Sequence, residues 1–175
     1  MWMETQRLLI RDIIEDDGEP FVNMAADGSL NVCGFDRNCS PWMPEWIAEA
    51  KGFAVRDNPN TDYLAYTITL KDKAIVVGSV GCSYYEDFGQ IGITYFIGAE
   101  YRSKGYAAEA VKAYTEYFFR HYKLRKMIAT VRDANIPSWK AIEKGGFIMT
   151  NKVMYKDIYD DKEELYRFYE ISNDK

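Results

Sequence analysis

The run from Tyr95 to Ala110 limits the possible folds most, because a strand-type segment passes through a short basic loop directly into a long amphipathic helix. The strand-type segment covers residues 90–97, and the helix is predicted over residues 107–122. One face of that helix carries Ala107, Val111, Tyr114, Phe118 and Tyr122. The first N–H groups of a helix have no intrahelical partner, and the helix dipole attracts negative charge. This junction therefore predicts an anion-binding site.

The rest of the chain alternates strand-type and helix-type segments. Strands are predicted over residues 5–11, 63–70, 74–85, 90–97, 127–131, 147–156 and 165–171, and helices over 20–26, 42–56, 107–122 and 137–144, with a loop over 27–40. Short polar turns on both sides of the central strand–helix–strand unit indicate antiparallel hairpins and a mixed sheet. Because no repeat or linker divides the sequence, we predict one α+β domain over residues 1–175.

The acidic composition argues against a nucleic-acid partner, because a formal net charge of −5 is opposite to the basic face of such proteins. No stretch approaches the roughly 18 apolar residues of a membrane helix, and the first residues lack the regions of a secretion signal. Cys33, Cys39 and Cys82 have no CxxC spacing, which indicates reduced thiols and no zinc site. We therefore expect a cytoplasmic protein that uses no metal, no nucleic acid and no membrane.

The loop before the central helix is the candidate anion site. Gly105 lets the backbone approach a ligand closely, and Arg102 and Lys104 add positive charge. The loop has neither a GK[ST] nor a GxGxxG pattern, which argues against a P-loop hydrolase and a dinucleotide fingerprint. A turn glycine before a surface helix is the alternative interpretation. A diphosphate on this loop would contact Arg102, Ser103, Lys104, Gly105, Tyr106 and Ala107.

Three stretches resemble the GNAT superfamily of N-acetyltransferases. R-S-K-G-Y-A at residues 102–107 matches its [RQ]-x-x-G-x-[GA] acetyl-CoA motif. The longer run E-Y-R-S-K-G-Y-A-A-E-A is similar to the RimJ/RimL-type branch, whose members acetylate protein N-termini, notably of ribosomal proteins. T-Q-R-L-L-I-R at residues 5–11 is similar to the opening strand of that branch, and N-I-P-S-W-K-A-I-E-K-G-G-F at residues 135–147 to its N-x-x-S-x-x-x-x-E-K-x-G-F segment.

The resemblance implies a central, mostly antiparallel twisted sheet with a V-shaped splay between two parallel strands, flanked by helices. The pantetheine arm of acetyl-CoA would enter that splay and pair with the backbone of Phe96, Ile97 and Gly98. An N–H group near Ile97 would polarise the thioester carbonyl. The resemblance further implies acetyl-CoA as cosubstrate, an amine as acceptor, and a monomer or homodimer.

The resemblance also implies catalytic residues. Many GNAT enzymes use a tyrosine seven residues after the motif asparagine as general acid, but Ile142 stands there in this chain. The N-terminal-acetylase branch has a serine three residues after the asparagine. Ser138 is therefore the predicted proton donor to the CoA sulfur, and Asn135 a predicted contact to CoA or to a backbone carbonyl. Helix capping is the alternative role of both residues.

No general base stands out in the sequence. The branch often places a glutamate where this chain has Gly92, which leaves a water chain or the loop acids Glu86 and Asp87. Both acids would otherwise lie solvated in a hairpin turn. We interpret His121 as a surface histidine stabilised by a helix C-terminus, and Cys82 as a thiol without a neighbour in sequence that would activate it.

Three functions fit these features. The first is acetylation of a protein or peptide N-terminal amine, which predicts a broad acidic groove. The second is acetylation of a small amine such as a polyamine, an amino sugar or an antibiotic, which predicts a closed pocket lined by Trp42, Trp46 and Tyr84. The third is a non-catalytic CoA-binding sensor, which the glycine at residue 92 and the isoleucine at residue 142 leave open.

Overall fold

The computed structural model describes residues 1–158 and 160–173, so the predicted domain over residues 1–175 includes three positions outside this part of the chain. The strands are β1 Trp2–Glu4, β2 Leu8–Asp12, β3 Leu64–Leu70, β4 Val76–Tyr85, β5 Gln90–Ile97, β6 Lys126–Arg132, β7 Ile148–Tyr155 and β8 Glu164–Ser172. The α-helices are α1 Gly18–Ala25, α2 Met43–Arg56, α3 Tyr106–Tyr122 and α4 Ile136–Lys144.

The strands form one sheet in the order β1-β2-β3-β4-β5-β6-β8-β7. Neighbouring strands are antiparallel throughout, except that β5 and β6 are parallel. The parallel pair is connected by α3, which gives the crossover that a parallel connection requires. This arrangement confirms the predicted mixed α+β fold.

The sheet opens at its parallel pair. β5 and β6 share one bridge in the described strands, between Gly92 and Ile128. β5 nevertheless continues to Ile97 and β6 to Arg132. Beyond the bridge the two strands therefore diverge, which confirms the predicted V-shaped splay.

The two faces of the sheet carry separate cores. On one face α3 buries Tyr114 and Phe118 completely. On the other face Phe21 of α1 packs against Phe96 of β5, with ring centroids 5.6 Å apart. Because side chains alternate along a strand, Phe96 faces α1 and α2, whereas Tyr95 packs on the α3 side. The splay thus has chemically different side chains above and below it.

Three local features refine the sequence predictions. The strand Trp2–Glu4 was missed, because three residues are too few for a pattern to show. The predicted loop over residues 27–40 contains a 3-10 turn at Asn31–Cys33 and buries Phe35. The predicted glycine stop of α4 lies in the left-handed region at Gly146, where φ is +101°.

Candidate active site

A cavity of about 1350 Å³ opens where β5 and β6 diverge. β4 and β5 form one wall, and β6 with the start of α4 forms another. Phe96, Asn135 and Ser138 are the predicted site residues in its lining, and the buried Ile142 lies beside them. The other predicted residues lie beyond this lining, at the end of β5, in the turn before α3 and at the start of α3; they are Ile97, Gly98, Arg102, Ser103, Lys104, Gly105, Tyr106 and Ala107.

Ser138, in the first turn of α4, is hydrogen-bonded to Tyr95 of strand β5. The hydroxyl oxygens of Tyr95 and Ser138 are 2.7 Å apart, and the Tyr95 hydroxyl also donates to the Ser138 carbonyl oxygen at 2.9 Å. Burial raises the pKa of Tyr95 to about 12, although its hydrogen bond with Ser138 acts in the opposite direction. Tyr95 therefore stays protonated at neutral pH and can return a proton to Ser138.

Asn135 caps the helix that carries Ser138. Its Oδ1 accepts a hydrogen bond from the Ser138 backbone N–H at 3.3 Å, and its carbonyl oxygen accepts from the same N–H at 3.1 Å. This geometry matches the capping role for Asn135. For Ser138 it favours a side-chain role, because the hydroxyl of Ser138 bonds to Tyr95.

The turn before α3 has the backbone shape of an anion cradle. Ser103 and Gly105 both have positive φ, of +60° and +81°. The Glu109 N–H donates to the Gly105 carbonyl oxygen at 3.2 Å. The N–H groups of residues 106–108 precede this bond and have no intrahelical acceptor. They are therefore available to an anionic group.

The side chains of Arg102 and Lys104, the two cations of this turn, are hydrogen-bonded to other groups of the protein. Arg102 donates from Nε to the Ile97 carbonyl oxygen at 2.9 Å and from Nη2 to Ser29 Oγ at 2.8 Å. Lys104 donates from Nζ to the Glu100 carbonyl oxygen at 3.0 Å. The guanidinium beside Gly105 belongs to Arg7 instead, whose Nη2 would lie 3.2 Å from a Cβ at Gly105. Sequence reasoning missed Arg7, because only the folded chain brings β2 to this turn.

The open edge of β5 suits an extended ligand. The Gly98 N–H donates to the Val77 carbonyl oxygen at 2.9 Å, so the backbone groups of Gly98 point toward β4. In an antiparallel pair these directions alternate along the strand. The groups of Ile97 therefore point away from β4, toward the splay. Its carbonyl oxygen already accepts from Arg102, which leaves the Ile97 N–H for a ligand.

Gly92 is covered by a tyrosine. A Cβ added at Gly92 would lie 2.3 Å from Cε2 of Tyr85, on the neighbouring strand. Burial and the nearby Asp157 charge raise the pKa of Tyr85, although a hydrogen bond to Thr130 acts in the opposite direction. The neutral phenol ring of Tyr85 therefore occupies the space beside Gly92 that a glutamate side chain would take in the related branch. Gly92 pairs with Ser83 rather than with Tyr85, so this contact runs diagonally across the hairpin and has no direct signal in the sequence.

The cavity wall is strongly acidic. Its acidic residues are Asp62, Glu86, Asp87, Asp157, Asp160 and Glu164, and Arg132 is the one cation in the lining among the described residues. Asp160 is buried and paired with Arg132, and Asp62 is paired with Arg56 at 2.9 Å. Asp87 accepts a hydrogen bond from the Tyr155 hydroxyl at 3.1 Å. The wall therefore favours a positively charged acceptor.

One part of the cavity wall is aromatic. The rings of Trp46 and Tyr63 are stacked, with centroids 6.3 Å apart and planes 8° apart. Phe35 meets Trp46 edge-on at 4.9 Å. Tyr84 also lies in the lining, but Trp42 does not and packs on Phe35 at 5.7 Å. Two of the three aromatic residues predicted for a small-amine pocket therefore line this cavity.

His121 and Cys82 lie outside the cavity lining. Nε2 of His121 lies 2.5 Å from Oδ2 of Asp57, so the helix terminus alone does not account for its environment. Burial raises the pKa of the Cys82 thiol to about 12, and the Tyr114 hydroxyl donates to it at 3.2 Å. Neither group is poised as a nucleophile at the cavity.

Two searches of the described residues bear on the wider setting of the site. Over residues 1–158 and 160–173, no group of three or more His, Cys, Asp or Glu side chains has the arrangement to hold a metal ion. In the same part of the chain, every helix is too short or too polar to span a membrane.

Comparison with known proteins gives consistent matches. Residues 7–148 match the family described as Acetyltransferase (GNAT) domain. The Bacillus subtilis (strain 168) protein described as uncharacterized N-acetyltransferase YnaD is 31% identical over 153 residues, which cover 83% of this chain and 82% of that protein.

Solved structures share the fold. A GNAT-family acetyltransferase from Bacillus anthracis has a TM-score of 0.81 at 22% identity and covers 98% of both chains. RimL, a ribosomal L7/L12 alpha-N-protein acetyltransferase in complex with coenzyme A, has a TM-score of 0.81 at 11% identity and covers 99% of both chains.

Proposed function

This chain belongs to the acetyltransferase (GNAT) family, and on that basis we propose that it acetylates the N-terminal amine of a protein or peptide. The family makes it an N-acetyltransferase that uses acetyl-CoA. The acceptor class and the residue roles are our proposal. The observation that carries it is an acidic cavity that meets a paired serine and tyrosine at the splay.

The backbone geometry supports the proposed binding site for acetyl-CoA, the acetyl donor. The free N–H groups of residues 106–108 would hold the diphosphate, with Gly105 giving close approach. The pantetheine arm would lie extended along β5, where the Ile97 N–H faces the splay. That N–H is also the donor that would polarise the thioester carbonyl. Residues 102–107, together with Phe96, Ile97 and Gly98, form the proposed donor site.

Ser138 is the proposed proton donor. When the amine nitrogen bonds to the acetyl carbon, the carbon–sulfur bond breaks and the sulfur needs a proton. Ser138 would donate it, Tyr95, 2.7 Å away, would replace it, and a proton from water would in turn restore the Tyr95 hydroxyl. Asn135 would hold the first turn of α4 and thereby the Ser138 backbone. The proton of the amine would leave to water at the acidic mouth near Glu86 and Asp87.

The charge of the cavity favours a cationic acceptor such as a polypeptide N-terminus. The acidic wall suits a protonated α-amine before it loses its proton. RimL, whose structure shares this fold, is named as an alpha-N-protein acetyltransferase. We further propose that residues 1–175 act as a single domain.

A small amine is the second candidate acceptor. The stacked Trp46 and Tyr63 and the nearby Phe35 would suit a compact cation held against aromatic faces. Such a ligand would use the α2 side of the cavity and leave its mouth near Asp87 and Tyr155 unfilled.

Thiol release from acetyl-CoA with a panel of amines tests these proposals. The panel contains peptides with a free N-terminus, the same peptides with a blocked N-terminus and a free lysine, polyamines and amino sugars. We expect turnover with the free N-terminus and its loss when the N-terminus is blocked. Turnover of polyamines or amino sugars alone would favour the second candidate. Binding of CoA without thiol release from any amine would contradict the proposed reaction.

A further inference from the structure

Arg7 is bound to both sides of the turn that precedes α3. Its Nε donates to Oε2 of Glu109 at 2.7 Å, and its backbone N–H donates to Oε1 of the same carboxylate at 2.8 Å. Its Nη1 donates to the carbonyl oxygen of Lys104 at 2.8 Å. Arg7 therefore links the first turn of α3 to the peptide directly before Gly105.

Two more contacts complete this link. The Thr5 hydroxyl donates to Oε1 of Glu109 at 2.6 Å. The Arg7 guanidinium lies 4.8 Å from the ring centroid of Tyr106, the first residue of α3. We call Thr5, Arg7 and Glu109 the latch. It joins the segment before β2 to a turn that lies far away in the sequence.

The latch lowers the pKa of Glu109. Burial on its own would raise the pKa of Glu109, but hydrogen bonds from Thr5 and Arg7 outweigh it and leave the pKa lowered. The carboxylate is therefore ionised in the first turn of α3. A bare carboxylate at this place would repel a diphosphate bound to the N–H groups of residues 106–108. Arg7 neutralises that charge on the same helix turn.

A fully exposed ion pair would neutralise the charge of Glu109 much less effectively. Exposed pairs contribute little, because water and salt screen them. Here the Glu109 side chain is only 16% exposed and that of Arg7 is 44% exposed. Nε and Nη2 of Arg7 both contact Oε2 of Glu109, and the Arg7 backbone N–H holds Oε1. Arg102 and Lys104, the cations predicted for this role, bond to Ile97 and Glu100 instead.

We propose that Arg7 is a positioning residue for the diphosphate of acetyl-CoA: it fixes the Lys104–Gly105 peptide and cancels the Glu109 charge beside the binding N–H groups. This inference rests on the proposed donor site. It assigns the T-Q-R segment, which connects β1 and β2, a task in binding the cosubstrate.

The test compares ligands with and without a diphosphate. In Arg7→Met we expect CoA affinity, measured by calorimetry, to fall about tenfold or more, because a charge-assisted contact and a neutralised charge are both lost. The KM for acetyl-CoA should rise by a similar factor with little change in kcat. The KM for S-acetylpantetheine, which has no diphosphate, should stay within about twofold of wild type, since the latch does not touch the thioester end.

A double variant separates the charge effect from general damage. Glu109→Gln combined with Arg7→Met should bind CoA more tightly than Arg7→Met alone, because no uncompensated carboxylate remains. Arg7→Lys should keep part of the affinity and serves as the probe if Arg7→Met fails to fold. Lys126→Met removes one positive charge from an exposed pair with Glu170 and is the matched control for net charge.

Each result decides the question. Unchanged CoA affinity in Arg7→Met, or an equal loss with S-acetylpantetheine, would overturn the inference. In that case Gly105→Val shows which proposal fails. If Gly105→Val still abolishes CoA binding, the donor site stands and only the role of Arg7 is wrong. If Gly105→Val also leaves CoA binding intact, the proposed donor site fails as well.

Discussion

The hydroxyl groups of Tyr95 and Ser138 lie 2.7 Å apart and join strand β5 to helix α4 across the splay of the sheet. Tyr95 is therefore positioned to pass a proton to Ser138, the proposed proton donor. The Tyr95 hydroxyl donates its own hydrogen bond to the Ser138 carbonyl oxygen at 2.9 Å, so the Ser138 hydroxyl is left to act as donor toward the cavity or toward Tyr95.

Replacing Ser138 by alanine should lower kcat by about 10²–10⁴ if it is the sole proton donor. Tyr95→Phe should have a smaller effect, and the double variant should be no slower than Ser138→Ala, because Tyr95 acts through the serine. Tyr84→Phe is the matched control, since Tyr84 lines the same cavity at 41% exposure. Steady-state kinetics at saturating acetyl-CoA measure all four. A Ser138→Ala enzyme as fast as wild type would make Ser138 a structural residue.

Replacing Gly105 by valine should abolish CoA binding. Its φ of +81° is strained for any side chain, and strongly so for a β-branched one. A side chain there would also crowd Arg7, whose Nη2 lies 3.2 Å from the Cβ position. Calorimetry with CoA gives the affinity, and circular dichroism checks that the fold persists. Full affinity in a folded Gly105→Val protein would contradict the phosphate cradle.

Placing a side chain at Gly92 should destabilise the protein and should not increase the rate. Gly92→Ala puts a Cβ 2.3 Å from Tyr85, so the ring must move, at a cost of about 1–3 kcal/mol. The cost should shrink in a Tyr85→Ala background. Gly52→Ala is the matched control, because nothing lies within 4 Å of its Cβ position in α2. Urea unfolding measures each pair, and equal costs in both backgrounds would refute the packing argument.

The sequence predicted the frame of this site better than its chemistry. The strand-to-helix junction at Gly105 was predictable because backbone geometry depends on local residues. Tyr95 was not, because its role depends on a serine that only the folded sheet brings near. Arg7 was likewise hidden, since Glu109 lies on a distant element. Tyr85 could not be predicted either, because its ring fills the space beside Gly92 and that contact exists only in the folded sheet.

Glu109 should make the protein less stable in acid. Its pKa is lowered from 4.5 in the folded protein, so its contribution is complete above that value and is lost as the pH falls through the folded pKa. The free energy of unfolding should therefore drop less steeply below about pH 4.5 in Glu109→Gln than in wild type. Urea unfolding at a series of pH values measures both slopes. Identical slopes would mean that the latch does not hold the carboxylate ionised.

Acidic acceptors should be poor substrates. The cavity lining has six carboxylates and one guanidinium among the described residues, so a peptide with acidic residues after its N-terminus is repelled. We expect a higher KM for such a peptide than for its neutral counterpart, and a smaller difference at high salt because salt screens the charges. Competition between the two peptides measures the preference. A preference for the acidic peptide would overturn the charge argument.

In the described strands, one backbone bridge joins the two halves of the sheet. β1 to β5 lie on one side of it, and β6, β8 and β7 lie on the other. A pantetheine chain between β5 and β6 would add hydrogen bonds where the strands lack them and would hold both edges in place before an acceptor arrives. We therefore expect a compulsory order of addition, in which acetyl-CoA binds first and the amine binds only afterwards.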